Sequence, residues 1–279
     1  MKENEQKRYR RSRKQKRKGR VIQNVILILC LIVFCVSAFQ LIKIGSGYRK
    51  GQGEYEEIQD LVLELNEESE DNEDSGERTG HASGFRVNFD ELLRLNPDTA
   101  AWIRFCPEPS IINYPVVQGK DNKEYLHKTF SGKENTLGTI FVSADNALDF
   151  QDKNTVIYGH RMKNGSMFRH LEDYKDQGFW ENNPYFYLYT PDGSEHRYHI
   201  YSTGVVLEDS DTYLTQFASA EDFQAFLNMT KETAEYDTGI EVTEEDTIVT
   251  LSTCTGASDN HRYVVRGVLE ESIPLNEGE

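Results

Sequence analysis

Cysteine is scarce: 279 residues hold four thiols. Cys30 and Cys35 lie inside a long apolar run, where a thiol behaves as a small apolar group. That leaves Cys106 and Cys254, one possible pair, which excludes a disulfide-framework domain; a chain of this length can build its core without one. Also missing are a glycine-rich phosphate loop, side chains at metal-ligand spacing and any internal repeat. No cofactor and no metal are expected. The acidic run Glu241–Asp246 reads as a solvated turn rather than a calcium loop, because the chain around it is acidic throughout.

Positive charge is scarce too, except at the start. Residues 1–20 hold eleven Lys and Arg against Glu3 and Glu5, a net +9, so a chain of net −16 carries −25 in the remainder. Between tail and body lies Val21 to Ile42, broken only by Gln23, Asn24, Ser37 and Gln40. As a helix it spans about 33 Å, enough for a bilayer core. The basic tail (1–20) is expected in the cytoplasm, residues 21–44 in the membrane and the acidic body outside. Val36-Ser37-Ala38 resembles a signal-peptide cleavage site, but the apolar run is longer than a usual signal core and continues past it. The tail abuts this span, so no nucleic-acid partner is expected.

The body divides by composition. Residues 45–84 read as a stalk: Tyr55 to Leu65 forms a helix with Tyr55, Ile58, Val62 and Leu65 on one face, and Glu67 to Ser83 is an acidic linker almost free of apolar residues. The folded domain is expected over 85–279. Asn88 and Glu91 form a capping pattern for a helix over Phe89–Leu95, which Asn96-Pro97 ends. Ala100 to Phe105 continues the apolar surface. Short β-rich runs follow at Ile111–Val117, Thr139–Val142, Thr155–Tyr158, Tyr185–Thr190, His196–Leu207, Thr247–Thr253 and Arg262–Leu269, a barrel or sandwich pattern. Helical insertions fall near Ser166–Tyr174 and over Ser219–Tyr236, the second capped by Ser219.

Three residues carry candidate chemistry. The β-branched strand Thr247–Cys254 ends in a thiol beside a small, polar loop, a position both rigid and reachable. A lone thiol is as often a buried structural one. A nucleophilic thiol needs an imidazole nearby. His160 ends the strand Thr155–Tyr158 just after Gly159, where the backbone can turn sharply; alone it would be a surface His. His196 and His199, three apart on a strand, point to opposite faces and make a poor metal pair. An attacked carbonyl develops an oxyanion, which the donor fork of Arg can meet. If the strands ending at Cys254 and starting at Arg262 form an antiparallel hairpin, the two residues flank one loop, whereas Arg266 lies about 13 Å further along. The hairpin selects Arg262.

The segments T-L-S-T-C (250–254), I-Y-G-H (157–160) and R-Y-V-V (262–265) resemble the sortase signature in order and spacing, over roughly residues 85–270. N-P-D-T-A-A-W-I (96–103), N-Y-P-V-V-Q-G-K-D-N (113–122), G-S-M-F (165–168) and P-Y-F-Y-L-Y-T-P-D-G (184–193) resemble class B members in particular. The resemblance implies a mainly β fold: an eight-stranded sortase barrel with N-terminal helices and a helix in the long loop before the nucleophile strand, preceded by one transmembrane helix. It implies a cysteine transpeptidase with Cys254, His160 and Arg262 as catalytic residues. By position, Asn113, Tyr158, Ser252 and Thr253 would line the groove for a sorting signal. The implied partners are secreted proteins bearing a C-terminal sorting signal and a peptidoglycan-precursor amine. A pilin Lys as acceptor, or an inactive surface scaffold of the same fold, is the alternative. The loop Thr255–His261 is short and neutral, and Thr255 stands where many class B members carry an acidic residue.

Overall fold

The computed structural model describes residues 2–65, 85–254 and 260–275. The chain divides into a unit ending at Arg49 and a second beginning at Lys50. The first consists of helix α1 (Lys2–Val62) up to the division. From Ile26 its apolar side chains are exposed, Phe34 by 69% and Ile42 by 70%, and the stretch is long and apolar enough to cross a membrane.

The second unit starts earlier than composition suggests. The last turns of α1 bury Tyr55, Ile58 and Val62, the spacing expected of one helical face. Tyr55 Oη donates to Gly138 O at 2.7 Å. The helix then stops at Val62, and Leu63–Leu65 forms strand β1, paired antiparallel with β2 (Phe85–Val87). Leu65 is therefore a strand residue, because β2 offers a ladder that one more helical turn would forgo. The acidic stretch Glu67–Ser83 lies outside the described residues.

Helix α2 (Phe89–Leu95) begins where expected, with Asn88 Oδ1 accepting from Glu91 N at 3.0 Å. The barrel then runs through β3 (Thr99–Phe105), β4 (Asn113–Val117), β5 (Ile140–Val142), β6 (Asn154–Tyr158), β7 (Tyr185–Thr190), β8 (Ser194–Leu207), β9 (Ile248–Cys254) and β10 (His261–Pro274). Short helices α3 (Gln177–Asn182) and α4 (Ala220–Glu232) precede β7 and β9. The eight strands close in the order β10-β8-β7-β3-β4-β5-β6-β9, the eight-stranded barrel that the resemblance implies. A closed barrel leaves no unpaired edge. β4–β5 and β6–β9 are parallel; the other barrel pairs are antiparallel.

Helix α4 is capped by Ser219 Oγ, which accepts from Asp222 N at 3.2 Å. Its Phe223, Phe226 and Leu227 pack on Tyr201, Ile248 and Val268 of the sheet and on Val242. Each such burial contributes about 1.5–3 kcal/mol, so α4 is fastened firmly to β8, β9 and β10. The turn at Glu241–Asp246 is closed by Lys153 Nζ, which donates to Glu244 O at 2.7 Å, and by Asp246 Oδ2, which accepts from Thr243 N at 2.7 Å. Among the described residues no group of His, Cys, Asp and Glu is placed to hold a metal ion.

Candidate active site

Two strand ends meet beside the site. β6 and β9 run parallel with Tyr158 opposite Ser252, so both strands deliver their C-terminal ends to one side of the barrel. His160 follows two residues after Tyr158, and β9 ends on Cys254. β10 returns antiparallel to β9, with Arg262 opposite Cys254 and Arg266 opposite Thr250. The hairpin drawn from the sequence is present, and Arg262 is the arginine that faces position 254. The loop residues 255–259, Thr255 included, lie outside the described residues.

His160 is held by backbone. Its Nε2 lies 2.7 Å from Leu126 O. A carbonyl can only accept, so Nε2 carries the hydrogen, and in the neutral ring Nδ1 is left as the basic nitrogen. Burial pushes the imidazole below its ordinary value; the Leu126 carbonyl opposes this, and the nearby His127, its ring centroid 6.2 Å away, adds to it. A ring kept neutral with a fixed tautomer is suited to take a proton and return it. Gly159 serves a different purpose from a sharp turn. Its φ is not positive, but a Cβ there would meet the Phe168 ring at 2.6 Å. The chain after His160 folds back so that Phe168 N donates to His160 O at 3.0 Å. Arg161 Nε donates to Glu172 Oε2 at 2.7 Å, which ties the residue after His160 to the 3₁₀ segment Phe168–Lys175.

Arg262 and Arg266 have different surroundings. Arg262 is partly exposed; its Nη1 donates to His261 O at 3.1 Å and its Nη2 to Glu208 Oε2. Arg266 is fully buried; it donates to Ser202 Oγ and to Thr212 Oγ1, each at 3.0 Å. Cys106, the other thiol outside the apolar run, is free and half-buried after β3, four places from β9 in the barrel order.

His160, Arg262, Tyr158, Ser252 and Thr253 line one pocket of about 300 Å³. Tyr158 stacks between Phe141 and Tyr213, at centroid distances of 5.3 and 5.9 Å, and burial raises its hydroxyl to about 12. Ser252 Oγ and Tyr213 Oη share a hydrogen bond of 2.9 Å. Asn113 is elsewhere. It lines a second pocket of about 160 Å³ beside Gln59 of α1, with its Oδ1 accepting from Trp102 Nε1 at 2.7 Å. Glu208, Tyr213, Leu126 and Phe141 also line the first pocket, and sequence reasoning passed over all four. Glu208 and Tyr213 follow β8, and only the pairing of β8 with β10 brings them to the site.

The sortase-domain family model matches residues 107–270. Sortase B of Listeria monocytogenes is 34% identical over 186 residues, covering 66% of this chain and 74% of that protein. The crystal structure of sortase B from Bacillus anthracis in complex with AAEK1 matches with a TM-score of 0.68 and 30% identity, over 82% of this chain and 100% of that one. The Staphylococcus aureus sortase B–substrate complex matches with a TM-score of 0.61 and 32% identity, over 66% and 84%. With the barrel, the strand-end His and the Cys–Arg hairpin already in place, these likenesses make the chain a member of the sortase family of cysteine transpeptidases, in its class B.

Proposed function

We propose that this sortase is anchored by residues 21–44 with residues 1–20 in the cytoplasm, and that its extracellular body cleaves a C-terminal sorting motif of secreted proteins after Thr. Nδ1 of His160 takes the proton of the Cys254 thiol, the thiolate attacks the Thr carbonyl carbon, and Arg262 meets the oxyanion of the tetrahedral intermediate. When that intermediate collapses the C–N bond breaks, and the proton on His160 goes to the departing amine. A thioester to Cys254 remains. A cell-wall precursor amine then attacks it and gives up a proton to His160, the Cys254 thiolate leaves, and a new amide joins the two partners.

The observation that carries this reading is the register: the His strand ends beside the Cys strand, and Arg262 stands opposite Cys254. The aromatic pocket lined by Tyr158 and Tyr213 suits an extended peptide laid beside β9, and the S. aureus relative has been solved with a substrate. The test uses a library of quenched fluorogenic peptides with a central Thr, with hydroxylamine as a generic amine. Wild type cleaves a subset and forms the hydroxamate; Cys254→Ala cleaves none. Cleavage surviving in Cys254→Ala would overturn the nucleophile. Protease added outside intact cells removes the body and leaves the tail; the reverse pattern overturns the topology.

A further inference from the structure

Arg262 is restrained from the strand on its far side. β10 lies between β9 and β8, with Arg262 opposite Cys254 on one flank and Val206 on the other. Two residues beyond Val206, Glu208 directs its carboxylate back to the guanidinium, and Oε2 accepts from Nη2. The backbone of Glu208 is itself fixed, its N–H donating to Asn260 O at 3.0 Å, just before the strand that carries Arg262. Both side chains line the active-site pocket, and among the described residues Glu208 supplies its one carboxylate.

The pair is too exposed to matter much for stability, with side-chain exposures of 21% for Arg262 and 50% for Glu208. Its effect is on direction. An arginine reaches its target through a long flexible stem, and its donors lie in one plane. A charge-assisted bond on Nη2 and a carbonyl on Nη1 select one orientation of that plane. Oxyanion donors work only when already aimed at the developing charge, so orientation is the property that catalysis needs.

We propose that Glu208 is a positioning residue for acyl transfer: it aims Arg262 at the oxyanion and acts on kcat through Arg262, without contacting substrate. This rests on the function proposed above. The same geometry would also allow an opposite role, in which Glu208 competes with substrate for Arg262. The two differ in sign: a competitor, once removed, lowers KM and leaves kcat unchanged or higher.

The experiment measures kcat, KM and melting temperature for the full chain in detergent micelles, using a library peptide that wild type cleaves and hydroxylamine as the amine. Glu208→Gln and Glu208→Ala are expected to lower kcat about tenfold, since a small misplacement of a catalytic group costs up to about a hundredfold. KM stays close to wild type, Tm does not change, and Glu208→Asp recovers part of the loss. In an Arg262→Ala background, Glu208→Gln adds no further loss. The proposal is overturned by unchanged kcat, by a fall in KM without loss of kcat, or by a full additional loss in that background. Failure of the underlying reading looks different: wild type then cleaves nothing, or Cys254→Ala remains active.

Discussion

A methyl group at position 138 would be built into His160. Gly138 has φ +63°, and a Cβ there would lie 2.8 Å from His160 Cδ2, 2.8 Å from Leu126 O and 2.9 Å from Tyr125 O. Leu126 O is the same carbonyl that accepts from His160 Nε2. Gly138→Ala therefore has two costs. The left-handed backbone costs a residue with a Cβ about 1–2 kcal/mol. Overpacking adds about 1–3 kcal/mol. At roughly 2–4 °C per kcal/mol for a body of this size, Tm falls by about 4–20 °C. Gly132→Ala is the control: its φ is +77°, but nothing lies within 4 Å of the added carbon. It carries the backbone cost alone, and Tm falls by about 2–8 °C. Of the three clashing atoms at 138, two belong to backbone carbonyls and one to the imidazole, so relief comes most easily by moving the ring. A shift of about 1 Å in a reacting group costs up to about a hundredfold. The assay is calorimetry together with kcat per folded molecule. A large kcat loss is expected for Gly138→Ala and near wild-type kcat for Gly132→Ala. Equal kcat in the two variants would refute the claim that Leu126, Gly138 and His160 form one fitted unit.

The two arginines separate in the same assay. Arg262→Ala is expected to lower kcat about 100- to 1,000-fold with little change in Tm, as for removal of an oxyanion donor. Arg266→Met is expected to lower Tm, because the buried Ser202 Oγ and Thr212 Oγ1 lose the donor that ties them together, and to lower kcat less than Arg262→Ala does; a greater kcat loss at 266 would refute the choice of Arg262. The His160 imidazole, followed by NMR, titrates below the ordinary 6.5 because of its burial. The unfolded ring takes up its proton first as pH falls, so the contribution of His160 to stability is present above pH 6.5, declines below it and is lost once the folded ring protonates. A midpoint at or above 6.5 would contradict the packing.

Some of this was legible in the chain and some was not, for identifiable reasons. Seven of the barrel strands announced themselves by β-branched and aromatic residues between turn signals. β3 did not: apart from Arg104 its residues are buried, so the run from Thr99 to Phe105 shows no alternation. The helical face of Tyr55, Ile58 and Val62 was readable, but the pairing of Leu63–Leu65 with Phe85–Val87 reaches across the acidic stretch, and local pattern carries no record of it. At the site, the Cys254–Arg262 relation came from a hairpin, which is local. Glu208 depends on β8 being the other neighbour of β10, more than fifty residues away in sequence. Asn113 was placed by resemblance alone, and its carboxamide is engaged with Trp102 in a different pocket.

The sheet face that carries the site also explains why a helix is inserted just before β9. Alternation puts Ile248, Thr250, Ser252 and position 254 on one face of β9, opposite Val268, Arg266, Val264 and Arg262 of β10. At one end of this face Ile248 and Val268 lie under the aromatic residues of α4. At the other end, about 20 Å along the strand, Ser252 and Arg262 form part of the pocket lining. Arg266 and Thr250 mark the change between them. Thr250 Oγ1 donates to Asn154 Oδ1 at 2.8 Å, and Asn154 Nδ2 donates to Leu214 O at 2.8 Å. Arg266 Nη2 donates to Thr212 Oγ1. These bonds fix the 3₁₀ turn Asp211–Tyr213 to the sheet, and that turn supplies Tyr213 to the pocket wall. α4 and the polar cluster thus clamp the same strands at one end and in the middle. The strand ends that carry Cys254 and Arg262 therefore project from a sheet that is tied down at one end and in the middle.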